Sequence, residues 1–279
     1  MKLSMWSSYY WGLSPEDTIL ELEKYGYHYT ELSDEHGAML LERGDPKKIG
    51  EEYGKFARDH GVSIEQGHLW LKVPLCAPEE QGVVDILKGW LDLFHAAGVT
   101  ASVLHCDSFS FSEGTLWEEK ADKNAEILRR LTRHIEGTDM TICLENLYTP
   151  AGVVPVVATV DELLAVIDRA GNHPNLGICL DTGHLNLVEG QDQAEFIRKA
   201  GSKLKALHLA DNEGKYDQHL IPFGRGNVDF IKVMKALREI GYDRLYNLEV
   251  PGERMAPLPV LGYKLEYLKK MFAYLETAE

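Results

Sequence analysis

The chain has 279 residues, of which 29 are Lys or Arg and 44 are Asp or Glu, and its formal net charge is −15. This length fits a single α/β barrel, and the acidic balance argues against a nucleic-acid enzyme, because phosphate backbones are bound by Lys and Arg. The sequence contains no run of 18 apolar residues and no signal-peptide pattern in MKLSMWSSYY, so we expect a cytoplasmic protein without membrane contact. Four cysteines without CxxC spacing predict buried free thiols.

Short apolar runs alternate with longer amphipathic runs along the whole chain. The short runs predict eight strands, at Lys2–Trp6, Tyr27–Leu32, Ser63–His68, Ala101–His105, Thr141–Leu147, Leu176–Leu180, Lys205–Leu209 and Leu245–Val250. The longer runs predict helices, among them Pro15–Tyr25, Pro46–His60, Glu79–Ala97, Leu116–Glu136, Val160–Ala170, Ala194–Ala200, Val228–Ile240 and Leu261–Glu276. Eight strand–helix repeats without a composition break predict a (β/α)8 TIM barrel, with residues 1–279 as a single domain. A doubly wound sheet would need fewer strands or a linker between two halves.

Four polar residues lie near the ends of the last four predicted strands: Glu145 in TICLENL, Asp181 in LGICLDTGH, His208 in LKALHLADN and Glu249 in LYNLEVPGE. A buried carboxylate costs several kcal/mol unless it is paired or bound to a metal. In a barrel, all four would project into the same mouth from consecutive strands. Oxygen-rich ligation with one imidazole suits Mn²⁺, Mg²⁺, Co²⁺ or Zn²⁺, and the sequence does not distinguish these ions.

Five further residues of metal-binding type are expected on the same rim: His68, His105, His184, Asp217 and His219. Each also has an ordinary interpretation. His68 and His105 would hydrogen-bond a substrate or a neighbouring carboxylate, and His184 would support a ligand from behind. Asp217 and His219 would form an ion pair within their loop.

The segment IPFGRGNVDF, residues 221–230, has two glycines around Arg225 and precedes a predicted helix. Its backbone would approach a bound anion closely, with Arg225 forked onto a phosphate or a sugar hydroxyl. The alternative is an ordinary loop that leads into the helix.

Other residues near the predicted mouth would contact a sugar or serve the protein alone. The aromatic residues would form the wall of a sugar site or pack against one another, and the two acids would bind hydroxyls or be solvated. These residues are Trp6, Tyr9, Tyr10, Trp70, Glu31 and Asp34.

Several of these motifs together resemble the xylose isomerase-like TIM-barrel superfamily. They are LEN at 144–146, LDTGH at 180–184, HLADN at 208–212, D-x-H-x-x-P-x-G-x-G-x-x-D at 217–229 and LEV at 248–250. That group includes sugar phosphate isomerases and epimerases, ketose 3-epimerases, inosose dehydratases, hydroxypyruvate isomerases and endonuclease IV-type enzymes. The resemblance covers nearly the whole chain and is less specific for any one member.

The ketose 3-epimerase branch implies that Glu145, Asp181, His208 and Glu249 hold one divalent metal, and that the two glutamates act as the acid/base pair. Removing a proton beside a carbonyl gives an enediolate, and a metal that contacts both oxygens stabilises its charge. One glutamate takes the proton, and the other returns it across the sugar.

The endonuclease IV branch resembles the chain equally well in its ligands. Its three-zinc site uses nine residues, matched here by His68, His105, Glu145, Asp181, His184, His208, Asp217, His219 and Glu249. Two features favour the sugar enzymes instead. The net charge is −15 without basic loops to hold a duplex, and the PFGRGNVDF loop is more similar to the P-G-x-G-x-I-D loop of sugar isomerases.

The sequence therefore predicts a metal-dependent isomerase or epimerase acting on a small sugar or sugar phosphate, with one ion favoured over three. Glu145 and Glu249 would do the acid/base work, while His184 and Arg225 position the substrate. The alternatives are a multi-zinc phosphodiester hydrolase, an inosose dehydratase-like lyase and a non-catalytic sugar-binding or partner-binding barrel. The predicted partner is a small molecule rather than nucleic acid, and the sequence is compatible with a homo-oligomer.

Overall fold

The computed structural model describes residues 1–71, 73–77, 80–148 and 154–278. Eight parallel strands form its centre. They are β1 (Lys2–Trp6), β2 (Tyr29–Leu32), β3 (Ser63–His68), β4 (Ala101–Leu104), β5 (Thr141–Glu145), β6 (Leu176–Asp181), β7 (Leu204–His208) and β8 (Leu245–Leu248). Each strand lies within the apolar run that predicts it, give or take a residue. The reason is that β-branched and aliphatic residues suit a sheet that is covered on both faces.

The strands are ordered β7-β6-β5-β4-β3-β2-β1-β8, and the two ends of this series also meet. Leu209 and Leu248 form a parallel bridge, and the Leu209 amide donates to the Asn247 carbonyl at 2.8 Å. The series is thus closed into the predicted TIM barrel, and the carboxyl ends of all eight strands face one mouth.

Ten α-helices surround the strands in the described part of the chain. They are α1 (Pro15–Lys24), α2 (Asp34–Leu41), α3 (Pro46–Asp59), α4 (Glu80–Ala97), α5 (Trp117–His134), α6 (Val160–Arg169), α7 (Thr182–Asn186), α8 (Gln193–Ala200), α9 (Phe230–Glu239) and α10 (Leu258–Thr277). Two short 3-10 helices, Ser7–Tyr10 and Gly201–Lys203, complete the set. No described helix is both long and apolar enough to cross a membrane.

The helix boundaries agree with the predictions to within a few residues, with two additions. Helices α2 and α7 were not predicted, because each begins within two residues of a strand and is only 8 or 5 residues long. The predicted helix start at Glu79 lies outside the described residues. Helix α9 begins at Phe230 rather than Val228, because the Asp229 side chain accepts from the Lys232 amide and caps it.

Because side chains alternate between the two faces of each strand, a layer of small side chains fills the barrel interior directly below its mouth. Ala101, Val103, Cys143, Cys179 and Ala206 form a buried cluster of their own, separate from the large core between strands and helices. Side chains two residues further along a strand point the same way, so Glu145, Asp181 and His208 lie above Cys143, Cys179 and Ala206. The four cysteines of the chain are buried, and no described cysteine forms a disulfide.

Candidate metal centre and active site

The four predicted strand-end residues meet at the barrel mouth. Glu145, Asp181 and His208 are the last residues of β5, β6 and β7, and Glu249 directly follows β8. All four are buried, and each has one potential ligand atom within 4.8 Å of those of the other three. Asp181 is paired with His208 in the β6–β7 register, so adjacent strands hold these two at one level.

The donor atoms of this group suit a divalent cation. His208 Nδ1 lies 3.2 Å from Glu145 Oε2 and 3.2 Å from Glu249 Oε2. His208 Nδ1 and Asp181 Oδ2 are both buried and have no hydrogen-bond partner. Buried polar atoms rarely remain unpaired, and three carboxylates with one imidazole form a hard donor set that Mn²⁺, Mg²⁺, Co²⁺ or Zn²⁺ accepts.

The five additional candidates lie at the same mouth. His68, His105 and Glu145 form a second group with close ligand atoms, and Asp181, His184 and His219 form a third. Asp217 is next to the third group, with Oδ2 3.5 Å from His184 Nε2 and Oδ1 3.1 Å from His219 Nε2. The structure thus brings all nine residues together: eight form three groups that share Glu145 and Asp181, and Asp217 contacts the third group.

The imidazoles at the mouth are anchored to the protein through one ring nitrogen. His68, His184 and His219 each use Nδ1, which donates to the carbonyls of Leu69 (2.6 Å), Asn146 (3.0 Å) and Glu249 (2.8 Å), respectively. His208 is anchored through Nε2 instead, 2.9 Å from a buried carboxylate oxygen of Glu31. In each ring the second nitrogen faces acidic side chains at the mouth, as a metal-ligating histidine requires.

The carboxylates at the mouth experience opposing electrostatic effects. Burial alone raises the pKa of Glu145, but the imidazoles of His208 and His105 outweigh it and hold that pKa well below its usual range. Burial raises the pKa of Glu249 to about 8, and His208 and His219 offset this only in part. The two glutamates at the mouth thus have pKa values that their surroundings shift in opposite directions.

The sequence did not predict the contacts by which Asn146 and Glu31 support the candidate ligands. Asn146 is fully buried; its Oδ1 accepts from the Asp181 amide at 2.8 Å, and its Nδ2 donates to the Asp181 carbonyl at 3.0 Å. Glu31 was predicted to bind hydroxyls or to be solvated, but it is fully buried against His208. The available signal was a glutamate within a predicted apolar strand, where an unpaired charge would be costly.

The Asp181 side chain divides its two oxygens between the fold and the site. Its Oδ1 accepts from the His184 amide at 2.6 Å and caps helix α7. Its Oδ2 remains without a partner. The cap fixes the carboxylate, so that the second oxygen is directed at the other ligand atoms.

A pocket of about 800 Å³ opens above these residues. Apolar side chains, including Trp6, Leu71 and Phe109, form much of its wall, and Asp34 and Glu35 are also part of its lining. Trp6 thus lies in the wall of the pocket, and its contact with a sugar stays a prediction.

The other predicted aromatic residues belong to the core. Tyr9 and Tyr10 are buried against each other with ring centroids 5.1 Å apart, and the Tyr9 hydroxyl donates to the Leu261 carbonyl at 2.8 Å. Trp70 packs on the main hydrophobic core. These three side chains therefore support the barrel rather than the pocket.

The loop at residues 221–230 surrounds one of the protein's own carboxylates instead of an external anion. Asp211 Oδ1 accepts from the Val228 amide at 3.0 Å, and a Cβ atom at Gly226 would lie 2.1 Å from the Asp211 side chain. The close backbone approach that glycine permits is thus used for Asp211. Arg225 is largely exposed, with Nε 3.8 Å from Glu213 Oε2, and it is not among the described residues that line the pocket.

Comparisons with known proteins agree with this architecture. The family described as "Xylose isomerase-like TIM barrel" matches residues 19–271. The "Uncharacterized protein MJ1311" of Methanocaldococcus jannaschii is 35% identical over 166 residues, which are 58% of this chain and 55% of that protein. The D-psicose 3-epimerase of Enterocloster bolteae is 33% identical over 198 residues, which are 68% of this chain and 62% of that protein. The chain thus spans less than two thirds of the length of these two relatives.

A "Probable endonuclease 4" of Mycoplasma pneumoniae is 25% identical over 202 residues, which are 68% of each chain. Among solved structures, D-psicose 3-epimerase with D-tagatose from Clostridium cellulolyticum H10 is similar with a TM-score of 0.79. It is 19% identical, with 99% of both chains covered, so this likeness concerns the fold. On the family match and the barrel together, the chain belongs to the xylose isomerase-like TIM barrel family.

Proposed function

We propose that this protein is a divalent-metal-dependent isomerase or epimerase of a small sugar or sugar phosphate, acting at a carbon next to a carbonyl. The observation that carries the proposal is the set of four ligand atoms of Glu145, Asp181, His208 and Glu249, all within 4.8 Å of one another at the mouth of the pocket. The similarity to D-psicose 3-epimerase, an enzyme named for a sugar, supports this class of substrate.

The four strand-end residues would hold the cation, and the unpaired Asp181 Oδ2 and His208 Nδ1 would become ligand atoms. When bound, a divalent cation draws electron density from the oxygens of a hydroxy-ketone and stabilises the enediolate formed by loss of a proton. The ends of β5 to β8 already hold these four ligand atoms within 4.8 Å of one another.

The two glutamates would move the proton. Glu145 and Glu249 approach one space from β5 and from the end of β8, and both lie 3.2 Å from His208 Nδ1. One carboxylate removes the proton from the carbon beside the carbonyl, and the other carboxyl group delivers a proton to the opposite face of that carbon. An isomerase would return the proton to the neighbouring carbon instead.

His184 would orient the substrate above these acids. Its ring is buried and anchored through Nδ1 to the Asn146 carbonyl at 3.0 Å, and Tyr148 packs beside it with a centroid distance of 5.1 Å. All three residues surround the β5 and β6 ends of the pocket. A fixed imidazole there would hold one substrate hydroxyl and limit rotation of the sugar.

The test of this proposal replaces the candidate acid/base group Glu145 by the isosteric amide. Protein loaded with Mn²⁺ is incubated in D₂O with a panel of ketoses, inososes and their phosphates, and deuterium at the carbon beside the carbonyl is measured by NMR. We expect Glu145→Gln to lower turnover by about 10²- to 10⁴-fold, the usual contribution of a positioned acid or base.

Glu51→Gln is the matched control, because Glu51 lies exposed on α3; its turnover should equal that of the unmodified protein. If the Glu145→Gln protein retains normal turnover, the assignment of Glu145 is wrong.

One observation favours a second function, a multi-zinc phosphodiester hydrolase. Nine potential ligands converge in three groups, as two- and three-metal sites require, and a relative is named as a probable endonuclease. Incubation of the zinc-loaded protein with a duplex containing an abasic site tests this: strand cleavage supports it, whereas an intact duplex together with deuterium exchange into a ketose rejects it. Exchange followed by loss of water from an inosose would indicate the dehydratase alternative.

A further inference from the structure

We propose that Glu31 is a positioning residue for the metal centre. It holds the His208 ring in the form protonated on Nε2, so that Nδ1 is the nitrogen offered to the cation. This inference rests on the metal site of the proposed function. It assigns a role to a buried carboxylate on β2, a strand that carries none of the candidate ligands.

The contact between the two side chains is direct and buried. Glu31 on β2 and His208 on β7 are both fully buried, and Glu31 Oε1 lies 2.9 Å from His208 Nε2. A carboxylate oxygen can only accept here, so Nε2 carries the hydrogen. The other ring nitrogen, Nδ1, has no hydrogen-bond partner and lies 3.2 Å from oxygens of Glu145 and Glu249. The neutral ring therefore has its lone pair on Nδ1, among the other ligand atoms.

A second contact fixes the Glu31 carboxylate itself. Asn247 on β8 donates through Nδ2 to Glu31 Oε2, and Asn247 Oδ1 accepts from the Ser4 hydroxyl on β1 at 2.8 Å. Asn247 and Ser4 are fully buried as well. The chain Ser4–Asn247–Glu31–His208 thus crosses the barrel interior and leaves each Glu31 oxygen with one donor.

The sheet is locally adjusted to present Glu31 to the interior. In the β2–β3 pairing, Thr30 is opposite Ile64, but Glu31 is opposite Gln66, so β3 contains one additional residue at this point. Gln66 also points inward, where its Nε2 donates to the Leu207 carbonyl of β7 at 3.2 Å. The skipped residue, Glu65, instead pairs with Lys2 at 2.8 Å. Such shifts commonly re-aim a side chain next to a functional site.

A purely structural role would not require a carboxylate at position 31. A buried carboxylate is costly to hold in the barrel interior, and apolar residues of similar volume often stabilise a protein more than a buried ion pair does. Carboxylates that accept from a ligating histidine fix its tautomer and raise its basicity toward the metal. The geometry at His208 meets this requirement through Nε2, whereas His68, His184 and His219 are anchored through Nδ1 on backbone carbonyls.

The experiment compares Glu31→Gln with Glu65→Gln, which removes a glutamate charge from the adjacent strand outside the site. Metal-free protein is titrated with Mn²⁺, and free Mn²⁺ is followed by EPR. We expect Glu31→Gln to weaken Mn²⁺ binding about 10- to 100-fold, as loss of a carboxylate behind a ligating histidine usually does, and Glu65→Gln to leave it unchanged.

A second measurement needs no variant at Glu31. Long-range ¹H–¹⁵N NMR spectra of the otherwise unmodified protein loaded with Zn²⁺ should show one histidine protonated on Nε2 and metal-bound through Nδ1. That signal should be absent from His208→Gln. This measurement does not depend on whether Glu31→Gln folds, because it is made on the unmodified protein.

The inference is overturned if Glu31→Gln binds Mn²⁺ as tightly as Glu65→Gln, or if the spectra show His208 metal-bound through Nε2. If Glu31→Gln does not fold, the NMR spectrum alone decides. A protein that binds neither Mn²⁺ nor Zn²⁺ would contradict the proposed function itself, whereas metal binding that is indifferent to Glu31→Gln contradicts only the role of Glu31.

Discussion

At the scale of single residues, the barrel mouth combines buried carboxylates with imidazoles that are anchored to the protein through one ring nitrogen. His184 and His208 each use one ring nitrogen to contact the protein and direct the other toward acidic groups. Asp181 divides its two oxygens in the same way. A metal ion would satisfy the buried atoms that remain without a partner.

Asn146 is expected to contribute to the stability of the protein through its contacts with the Asp181 backbone. Asn146→Ala breaks both hydrogen bonds to the Asp181 backbone and leaves a buried amide and a buried carbonyl unpaired. We expect the free energy of unfolding of the metal-free protein to fall by about 1–3 kcal/mol, measured by urea denaturation.

The exposed variant Gln191→Ala serves as control and should change that free energy by less than about 0.5 kcal/mol. Equal stability of Asn146→Ala and the unmodified protein would show that the amide does not hold β5 against β6.

The convergence of the four strand-end residues was predictable because each polar residue interrupts or ends an apolar run. The roles of Glu31 and Asn146 were not predictable in this way. Glu31 contacts a residue 177 positions away in the chain, and its function depends on a one-residue shift between β2 and β3. At Arg225 the sequence left two interpretations open, an anion-binding loop and an ordinary loop. The structure shows that Gly226 makes room for Asp211, and substrate binding by Arg225 stays a prediction.

At the scale of elements, the loops that follow β3 and β4 form one wall of the pocket, and the Asp107 carboxylate joins them. Asp107 is buried and accepts from the amides of Cys76 (2.8 Å), Phe109 (2.8 Å) and Ser110 (3.0 Å), and from the Ser110 hydroxyl. The two loops thereby hold each other in place, since few backbone bonds of a regular element are available to them.

Asp107→Ala should loosen this wall without altering the candidate metal ligands. We expect faster chymotrypsin cleavage after Phe109, which is already 72% exposed, and a free energy of unfolding lower by about 2 kcal/mol, because buried donors lose their acceptor. Limited proteolysis with mass spectrometry measures the first effect.

Asp243→Ala is the control, because Asp243 is exposed in the α9–β8 connection. If the Asp107→Ala loops resist chymotrypsin as well as those of the control, the carboxylate is not what joins them.

The strands and long helices were predictable because their apolar periods differ and because eight repeats require a closed arrangement. The short helix α7 was not, since its N-cap is Asp181, a residue that the sequence marks equally well as a ligand. Helix α2 follows β2 after Ser33 alone, whose side chain accepts from the His36 amide. In both places the helix begins within two residues of the strand end, so no apolar period separates the two elements.

At the scale of the whole molecule, the closed barrel converts residues that are far apart in the chain into neighbours. Residues as far apart in the chain as Glu31 and Glu249 contribute to one mouth, because parallel strands all end on the same side. The repeat pattern predicted this fold, and the structure and the family match confirm it. The net charge of −15 describes the molecule as a whole and not the site, so the expectation that nucleic acid is not bound stays a prediction.

The most direct test of the central claim is the metal content of purified protein, measured by mass spectrometry after dialysis and again after addition of Mn²⁺. We expect about one tightly held ion per chain, because the four ligands define one ion position. We also expect its loss in Asp181→Asn, which preserves an acceptor for the α7 cap. About three zinc ions per chain would favour phosphodiester hydrolysis instead. A protein that takes up no stoichiometric ion, or an Asp181→Asn variant that retains it fully, would contradict the account.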